Sequence, residues 1–297
     1  SFWVVIPTYN RADDLIATLD SLAKSEINMD QVIVVDNGSK DDTAVKMGKQ
    51  YPNVHLLALE KNIGATGGSN VGFQYALEHG AEYVIRMDSD IEVDANFLAP
   101  LIAMANSDPK IGIISPKIYF FTPPDIIWYG GVESKGGFLK ITDGFRGKTD
   151  SPENSRIRKV DYVWGATMLI SREVLEKTGG FDTDFFVYYE EFDFCDRTKA
   201  LGYEIMYVPE SKIWHKVGSI SYTAFTAYNW NKSKMIFIRK HAPNPFSKLY
   251  HIVYAFAFAL VDGFGYSLKL RKKSRNRGPL SNTLRGLGAG LVISLPK

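Results

Sequence analysis

The segment Ala81-Glu-Tyr-Val-Ile-Arg-Met-Asp-Ser-Asp90 is a short run of strand-forming residues that ends in two carboxylates. In an open α/β sheet, ligands bind beyond the carboxyl ends of the parallel strands. A strand over 83–87 would therefore carry Asp88 and Asp90 to that edge. Carboxylate oxygens are the ligands that hard divalent cations prefer. A solvated acidic loop at a strand end is the alternative interpretation, so this segment needs support from the rest of the chain.

Strand and helix patterns alternate around this segment. Continuous apolar runs bounded by turn residues predict three further buried strands, at 2–6, 31–35 and 54–59. Helical spacing or capping predicts helices at 11–24, 41–50 and 66–79, and further along the chain a helix at 192–201 and a strand at 204–208. Residues 143–158 predict a flexible loop. This alternation predicts an α/β fold with a mostly parallel sheet flanked by helices.

The turn after the first strand excludes two common nucleotide-binding folds. It reads Pro7-Thr8-Tyr9-Asn10-Arg11 and contains no glycine, whereas a dinucleotide-binding fold needs a glycine-rich turn there. The chain also lacks a P-loop motif. Asp36, at the end of the second strand, is a candidate to bind a ribose or a base edge. It is equally suited to open an Asx-type turn through Asn37-Gly38.

Charge divides the chain near residue 221. Residues 222–297 hold 13 Lys or Arg and one acid, Asp262, whereas the preceding residues hold 22 bases and 32 acids. Such a basic segment favours an anionic partner. The single cysteine, Cys195, excludes an internal disulfide and fits a reducing compartment.

Within the basic segment, residues 249–268 are almost wholly apolar and aromatic, and bases follow them at 269–277. This pattern favours a helix that lies in an anionic membrane surface. Packing against the rest of the protein and a membrane-spanning helix are the alternatives, and Asp262 and His251 argue against spanning. No base-stacking motif accompanies the basic run, so we expect no nucleic-acid partner.

Seven segments, in order along residues 2–220, closely resemble family 2 glycosyltransferases. They are Val4-Val-Ile-Pro-Thr-Tyr-Asn10, Val32-Ile-Val-Val-Asp-Asn-Gly-Ser-Lys-Asp-Asp-Thr43, Asn62-Ile-Gly-Ala-Thr-Gly-Gly-Ser-Asn-Val-Gly72, Met87-Asp-Ser-Asp90, Trp164-Gly-Ala, Gly179-Gly-Phe-Asp182 and Tyr189-Glu-Glu-Phe-Asp-Phe-Cys195. The resemblance implies a GT-A fold, a nucleotide-sugar donor, a divalent cation (Mn²⁺ or Mg²⁺) and inversion at the anomeric carbon. The loop at 65–70 most resembles the rhamnosyl- and galactofuranosyl-transferring branch.

The resemblance also assigns roles to individual residues. It implies that the nucleobase is held by Pro7, Thr8, Tyr9 and Asp36. Asn62, Gly64 and Asn70 belong to the loop and helix start that approach the donor, and Trp164 is expected in the substrate site. Asp88 is then a ribose or metal contact, Asp90 a metal ligand and His215 a residue near the metal or diphosphate. Without the resemblance, Tyr9 and His215 would be interpreted as packing residues, and Gly67-Gly68 as a helix-entry turn.

Glu190, Glu191 and Asp193 form a second acidic cluster before the predicted helix at 192–201. Inverting sugar transfer needs a base that takes a proton from the acceptor hydroxyl. The family usually carries Glu-Asp-x-Asp, and this chain has Glu-Glu-Phe-Asp, so Glu191 falls at the usual base position. Glu190 and Asp193 stay open as the base or as acceptor ligands. Acids that favour the helix dipole are the structural alternative.

These features together predict a metal-dependent inverting glycosyltransferase that uses a UDP- or dTDP-linked sugar. Its acceptor would be a glycan, lipid-linked and reached from the cytoplasmic face of the cell membrane. Residues 1–221 would form the catalytic domain, with donor binding at about 1–110 and acceptor binding at about 111–221, and 222–297 a membrane-associating helical extension. The alternative is a non-catalytic nucleotide-sugar or glycan-binding module. A nucleotidyltransferase is disfavoured because no basic loop follows the first strand.

Overall fold

The structure, a computed structural model, describes residues 1–136, 138–216, 223–270 and 278–292, without the side chains of 258–270, 278–280 and 292. Contacts between residues divide the chain into two compact units. The first unit comprises Ser1–Phe181 and Phe194–Val217, and the second comprises Asp182–Asp193 and Gly218–Lys297. Residue 221, where the composition changes, lies outside the described residues. The division by contacts assigns 182–193 to the unit that contains the C-terminal helices.

Most of the regular elements alternate between strand and helix. The strands are β1 (Phe2–Thr8), β2 (Val32–Asp36), β3 (His55–Ala58), β4 (Tyr83–Met87), β5 (Ile91–Val93), β6 (Ile111–Phe120), β7 (Ile127–Tyr129), β8 (Glu133–Ser134), β9 (Ile141–Thr142), β10 (Arg158–Lys159), β11 (Thr167–Ser171) and β12 (Glu204–His215). The helices are α1 (Ala12–Ala23), α2 (Thr43–Gln50), α3 (Gly64–Glu78), α4 (Leu98–Ala105), α5 (Arg172–Thr178), α6 (Glu190–Ala200), α7 (Ala224–His241), α8 (Pro245–Leu270) and α9 (Gly278–Val292).

One large sheet organises the first unit, with strand order β10-β12-β6-β11-β4-β1-β2-β3. Strands β3, β2, β1 and β4 are parallel neighbours, as predicted. The apolar runs of β1, β2 and β4 lie in the hydrophobic core, whereas β3, at the edge of the sheet, is half-buried and packs against it. Strand β11 is antiparallel to both β4 and β6. The sheet is therefore mixed, and the α/β prediction is confirmed.

Helix α3 lies unusually close to the parallel strands. A Cβ built on Gly72 would lie 2.2 Å from Val5 Cγ1, and one built on Gly68 would lie 2.5 Å from Asn37 Nδ2. The helix begins at Gly64, two residues earlier than predicted, where the Asn62 side chain accepts a hydrogen bond from Gly64 N at 2.8 Å. The small residues of this segment therefore allow the helix to approach β1 and β2.

Two segments differ from their predictions: β12 is longer than predicted, and the loop at 143–158 is anchored to the sheet. Strand β12 continues to His215, beyond the predicted end at 208, because an irregularity between Val208 and Lys212 carries the chain past Pro209 and the pairing with β6 resumes. The predicted flexible loop at 143–158 is anchored to β6, since Asp150 forms an ion pair at 2.7 Å with the buried Lys117.

The second unit contains α7, α8 and α9. Helices α7 and α9 pack at very short distance, because a Cβ on Gly286 would lie 2.2 Å from Tyr228 O and one on Gly290 would lie 2.5 Å from Lys232 O. Within the described residues, no helix combines the length and the apolar content that crossing a membrane requires.

Candidate active site

The two aspartates of the opening segment lie at the carboxyl end of β4, as predicted. Strand β5 follows them and pairs with β12, in a register that sets His215 opposite Ile91. This pairing brings the imidazole to Asp90, where Nε2 lies 3.1 Å from Asp90 Oδ1 and 3.8 Å from Asp88 Oδ2. Residues that are 125 positions apart in the chain thus meet at the end of the central strands.

Asp88, Asp90 and His215 fit a divalent cation. One ligand atom from each residue lies within 4.8 Å of the other two. A cation that holds its ligands at about 2.1 Å keeps neighbouring ligand atoms roughly 3 to 4 Å apart, so small side-chain movements would complete the set. The other imidazole nitrogen, Nδ1, is buried and has no hydrogen-bond partner among the described residues. Two carboxylates and an imidazole form a donor set that Mn²⁺ accepts readily.

Two arginines that the sequence analysis did not single out set the charge of this group. Arg86, a buried residue of β4, forms an ion pair at 2.5 Å with Asp88 and also donates a hydrogen bond to Gly165 O. Arg11 lies 3.4 Å from Asp90 Oδ2 and 3.0 Å from Asp14. The sequence of β4 contained a signal for Arg86, since a charged residue inside a buried, mostly apolar strand requires a buried partner.

The pKa values of the two aspartates shift in opposite directions. Asp88 is half-buried, and this burial raises its pKa, although Arg86 opposes the shift. Burial also acts to raise the pKa of Asp90, but the hydrogen bond and charge of His215, together with the charge of Arg11, outweigh it and lower that pKa. Asp90 is therefore the more strongly anionic of the pair and the better candidate for a metal ligand.

The predicted nucleobase residues lie at the ends of β1 and β2. The register pairs Thr8 with Asp36, so both side chains reach the same edge of the sheet. Thr8 Oγ1 and Asn37 Oδ1 are buried and have no hydrogen-bond partner among the described residues, whereas Tyr9 is 43% exposed. Asp36 Oδ1 accepts a hydrogen bond from Ser39 N at 2.9 Å, so the turn that was its alternative role is present. Pro7 is buried beside them, and the nucleotide contacts of these residues stay predictions.

Two of the predicted donor-loop residues bind protein groups. Asn70 donates to Phe181 O at 2.7 Å and accepts from Phe181 N at 2.8 Å, so its amide fixes the chain after Gly180. Asn62 caps the start of α3 by accepting from Gly64 N. These contacts are structural, and a role of Asn62, Gly64 or Asn70 in donor binding stays a prediction.

Two tryptophans line the imidazole side of the site. The Trp128 ring, on β7, meets His215 edge-to-face at 4.7 Å, and its centroid lies 5.9 Å from that of Trp164. Trp128 was not predicted, because β7 is only three residues long and carries no motif. The contact holds the His215 ring in the orientation that points Nε2 at the aspartates.

The acidic cluster belongs to the second unit. Glu190 and Glu191 begin α6, and each is 6% exposed. Asp193 is fully buried: its Oδ1 accepts a hydrogen bond from His241 Nε2 at 2.7 Å and lies 3.3 Å from Lys240 Nζ. His241 had no predicted role, since nothing in the spacing of 193 and 241 indicates that they meet.

The site thus combines an Asp-Asp-His group that could hold a metal ion with the end of a central strand of a mixed α/β sheet. The family model "Glycosyl transferase family 2" matches residues 3–179. The chain belongs to this family.

Similar proteins agree with this membership. The chain is 27% identical over 232 residues, covering 71% of this chain and 75% of the relative, to an N-acetylglucosaminyl-diphospho-decaprenol L-rhamnosyltransferase of Mycobacterium tuberculosis. It is 29% identical over 227 residues, covering 74% of this chain and 71% of the relative, to the dTDP-rhamnosyl transferase RfbF of Shigella flexneri.

Among solved structures, the mannosyltransferase PcManGT from Pyrobaculum calidifontis, in complex with GDP-Man and Mn²⁺, matches with a TM-score of 0.58. The match is 19% identical and covers 98% of this chain and 86% of that one, so it supports the fold. The predicted family, the GT-A fold and the likeness to the rhamnosyl- and galactofuranosyl-transferring branch are confirmed. The protein is a glycosyltransferase that uses a nucleotide-sugar donor.

Proposed function

We propose that the protein is a metal-dependent, inverting glycosyltransferase that moves a sugar from a nucleoside-diphosphate donor to a hydroxyl of a lipid-linked glycan, in the synthesis of a surface polysaccharide. The observation that carries the proposal is the Asp88–Asp90–His215 group at the end of β4 in a chain of this family. The relatives suggest a dTDP-linked deoxysugar as donor, with a UDP-linked sugar as the alternative, and a polyprenyl-diphosphate glycan as acceptor.

Asp90 and His215, with Asp88, would hold the cation. When bound, the cation, Mn²⁺ or Mg²⁺, would neutralise the charge that develops on the departing diphosphate. Arg11 would add a positive charge beside Asp90, and Arg86 would keep the Asp88 carboxylate fixed. Thr8 and Asn37, whose buried oxygens have no partner among the described residues, would bind polar groups of the nucleoside.

Glu191 would be the base of a single displacement. Its carboxylate would take the proton of the acceptor hydroxyl while that oxygen attacks the anomeric carbon opposite the diphosphate. The support is the match of Glu191 to the family's base position and its place, little exposed, in the first turn of α6. Glu190 would then contact the acceptor.

The C-terminal helices would bring the enzyme to the cytoplasmic face of the membrane that carries its acceptor. Helix α8 exposes an apolar and aromatic stripe at helical spacing, and Phe246 in it is 86% exposed. This α8 stripe consists of Phe246, Leu249, Tyr250, Val253 and Tyr254. An exposed stripe beside a basic sequence suits the headgroup region of an anionic membrane.

A transfer assay tests the proposal. The full chain is incubated with dTDP-rhamnose or a UDP-sugar and a short-chain lipid-diphosphate N-acetylglucosamine acceptor, with Mn²⁺, Mg²⁺ or a chelator. We expect transfer that the chelator abolishes, and we expect Glu191→Gln to lower it by about 10²–10⁴ because an amide accepts no proton. Glu190→Gln is the matched control and should retain more activity.

Three outcomes would contradict parts of this proposal. Full transfer in the presence of chelator would exclude metal dependence. Wild-type turnover by Glu191→Gln, together with loss in Glu190→Gln or Asp193→Asn, would move the base to another carboxylate. Tight donor binding without transfer to any acceptor would favour the non-catalytic binding module.

A further inference from the structure

The two residues before the acidic cluster have an unusual backbone. Tyr188 and Tyr189 both lie in the left-handed region, with φ of +70° and +66°, directly before Glu190. This conformation is sterically unfavourable for an L-residue with a Cβ, so two in succession need support from their surroundings. Such supported strain is characteristic of functional sites.

One face of α7 supplies that support through aromatic contacts. The Trp230 ring lies 5.3 Å from Tyr188 and 5.2 Å from Tyr189. About two helical turns later, the Phe237 ring lies 5.7 Å from Tyr189 and 6.4 Å from Phe192. The spacing of these side chains sets them on the same side of α7.

Polar side chains on the same face of α7 also contact the segment around the tyrosines, as far as the last residue of the helix, His241. Ser233 Oγ donates to Val187 O at 2.8 Å, and His241 stacks on Phe237 with ring centroids 4.6 Å apart. Because a carboxylate only accepts hydrogen bonds, His241 Nε2 is the donor in its 2.7 Å contact with Asp193. Asp193 in turn donates its backbone N–H to Tyr189 O at 3.0 Å, which closes the turn that carries both glutamates.

We propose that His241 and Trp230 of α7 are positioning residues for the transfer reaction, and that Asp193 is their anchor rather than the base. They hold the strained tyrosine turn and so fix the direction in which the Glu191 carboxylate points. This inference rests on the proposed function, in which Glu191 is the base. It explains why Asp193 is fully buried and hydrogen-bonded to His241.

Variants at position 241 separate positioning from bulk stability. His241→Leu removes the donor to Asp193, whereas the Gln side chain of His241→Gln reaches a similar place with an N–H. We expect His241→Leu to lower kcat by about 10- to 100-fold, the scale of a misplaced catalytic group, with an unchanged Kd for the nucleoside diphosphate. His241→Gln should recover most of that loss. His251→Leu, on α8, is the matched histidine control and should keep wild-type kcat.

A double-variant cycle distinguishes a positioning role of His241 from a purely structural one, because it compares the effect of His241→Leu on transfer with and without the base. In a Glu191→Gln background the base is already absent, so adding His241→Leu should change the residual transfer by less than about 2-fold. Equal losses in both backgrounds, or a His241→Gln variant as slow as His241→Leu, would overturn the inference. If His241→Leu does not fold, Trp230→Phe carries the same cycle, with a smaller expected loss of kcat.

The cycle also separates this inference from the proposed function. Wild-type turnover by Glu191→Gln would refute the base assignment itself. An inactive Glu191→Gln beside fully active His241→Leu and Trp230→Phe would leave the base assignment intact and refute only the positioning role of α7.

Discussion

At the scale of single residues, the charge on Asp90 distinguishes it from its neighbour. His215 and Arg11 lower the pKa of Asp90 and so favour its anionic form, while Asp88 forms an ion pair with Arg86. A divalent cation would therefore compete with Arg11 for Asp90 and with Arg86 for Asp88. The arginine at 2.5 Å is the stronger competitor, so we expect metal binding to depend more on Asp90 than on Asp88.

Replacing Asp90 should weaken metal-dependent donor binding. Asp90→Asn keeps the shape of the side chain and removes its charge. We expect the Mn²⁺-dependent affinity for dTDP or UDP to fall by at least roughly 10- to 100-fold, the loss that follows when only a residue supporting a metal ligand is replaced. The weak metal-independent affinity should be retained. Calorimetry with and without Mn²⁺ measures both. Asp125→Asn, at an exposed carboxylate of the same unit, should leave both unchanged, and an unaltered Asp90→Asn would refute the metal site.

At the scale of secondary structure, α3 packs closely on β1, in the parallel half of the sheet, and this packing requires a glycine at position 72. Gly72 lies inside the helix, where glycine is otherwise unfavourable, because Val5 occupies the place of its side chain. Gly48, in α2, has no neighbouring atom within 4 Å of such a position. The two helical glycines therefore provide a natural comparison.

The same substitution should have opposite effects at these two glycines. Gly72→Ala inserts a methyl group against the stiff Val5 side chain and should lower the free energy of unfolding by about 1–3 kcal/mol. Gly48→Ala should raise it by up to about 1 kcal/mol through helix propensity. Urea denaturation of both variants measures this, and a stabilised Gly72→Ala would contradict the packing of α3.

The contact between β6 and the 143–158 segment makes the stability of the fold depend on pH. The pKa of Asp150 lies below its ordinary value: burial acts to raise it, and the hydrogen bonds from Lys117 and Tyr119 outweigh burial. The folded protein therefore holds fewer protons at Asp150 than the unfolded chain does. The stability from this pair is fully present above the ordinary pKa of an aspartate and is lost as the pH falls through the lowered value.

Asp150→Asn tests that contact. The variant leaves the buried Lys117 ammonium with Asn154 and Ser155 as its remaining polar neighbours, at 3.3 and 3.0 Å. We expect a loss of about 1–3 kcal/mol in unfolding free energy at neutral pH that becomes smaller toward pH 3. Thermal unfolding across pH 3–7 measures it. A difference between variant and wild type that does not change with pH would contradict the charge pairing.

At the scale of the whole molecule, the sequence predicted the parallel half of the sheet and the position of Asp88 and Asp90 at its edge. It did not predict the contacts between residues far apart in the chain. Apolar runs and an Asp-x-Asp are local signals, so β1 to β4 and the position of Asp90 were predictable. Antiparallel β11, the partner contacts of Arg86 and the Asp193–His241 hydrogen bond join segments far apart in the chain. No local periodicity encodes such a pairing.

The charge division of the chain predicts membrane binding with two separable parts. Replacing Phe246, Tyr250 and Val253 by serine should abolish the salt-resistant part, because the apolar α8 stripe is lost. Neutralising the bases that lie outside the described residues, Arg271, Lys272, Lys273, Arg275 and Arg277, should release much of the protein from anionic vesicles, since each base contributes about 1 kcal/mol near such a surface. Co-sedimentation with anionic and neutral vesicles at low and high salt measures both parts.

A charge-matched control makes that test specific. Five exposed lysines of the first unit can be neutralised instead, and this variant should bind vesicles as wild type does. They are Lys24, Lys40, Lys49, Lys61 and Lys110. If wild type and both C-terminal variants sediment equally, residues 222–297 do not contribute to vesicle binding. Transfer to a short, soluble acceptor should be the same in every variant.

The glycine contacts between α9 and α7 have a consequence for the order of events during synthesis. Gly286 and Gly290 emerge from the ribosome roughly 100 residues after the tyrosine turn, which at 5–20 residues per second is a delay of about 5–20 s. Helix α7 lacks its tightest neighbour during that interval. By then the whole first unit has been synthesised. The nascent chain would therefore acquire its donor-binding half well before the turn that carries Glu190 and Glu191 is stabilised.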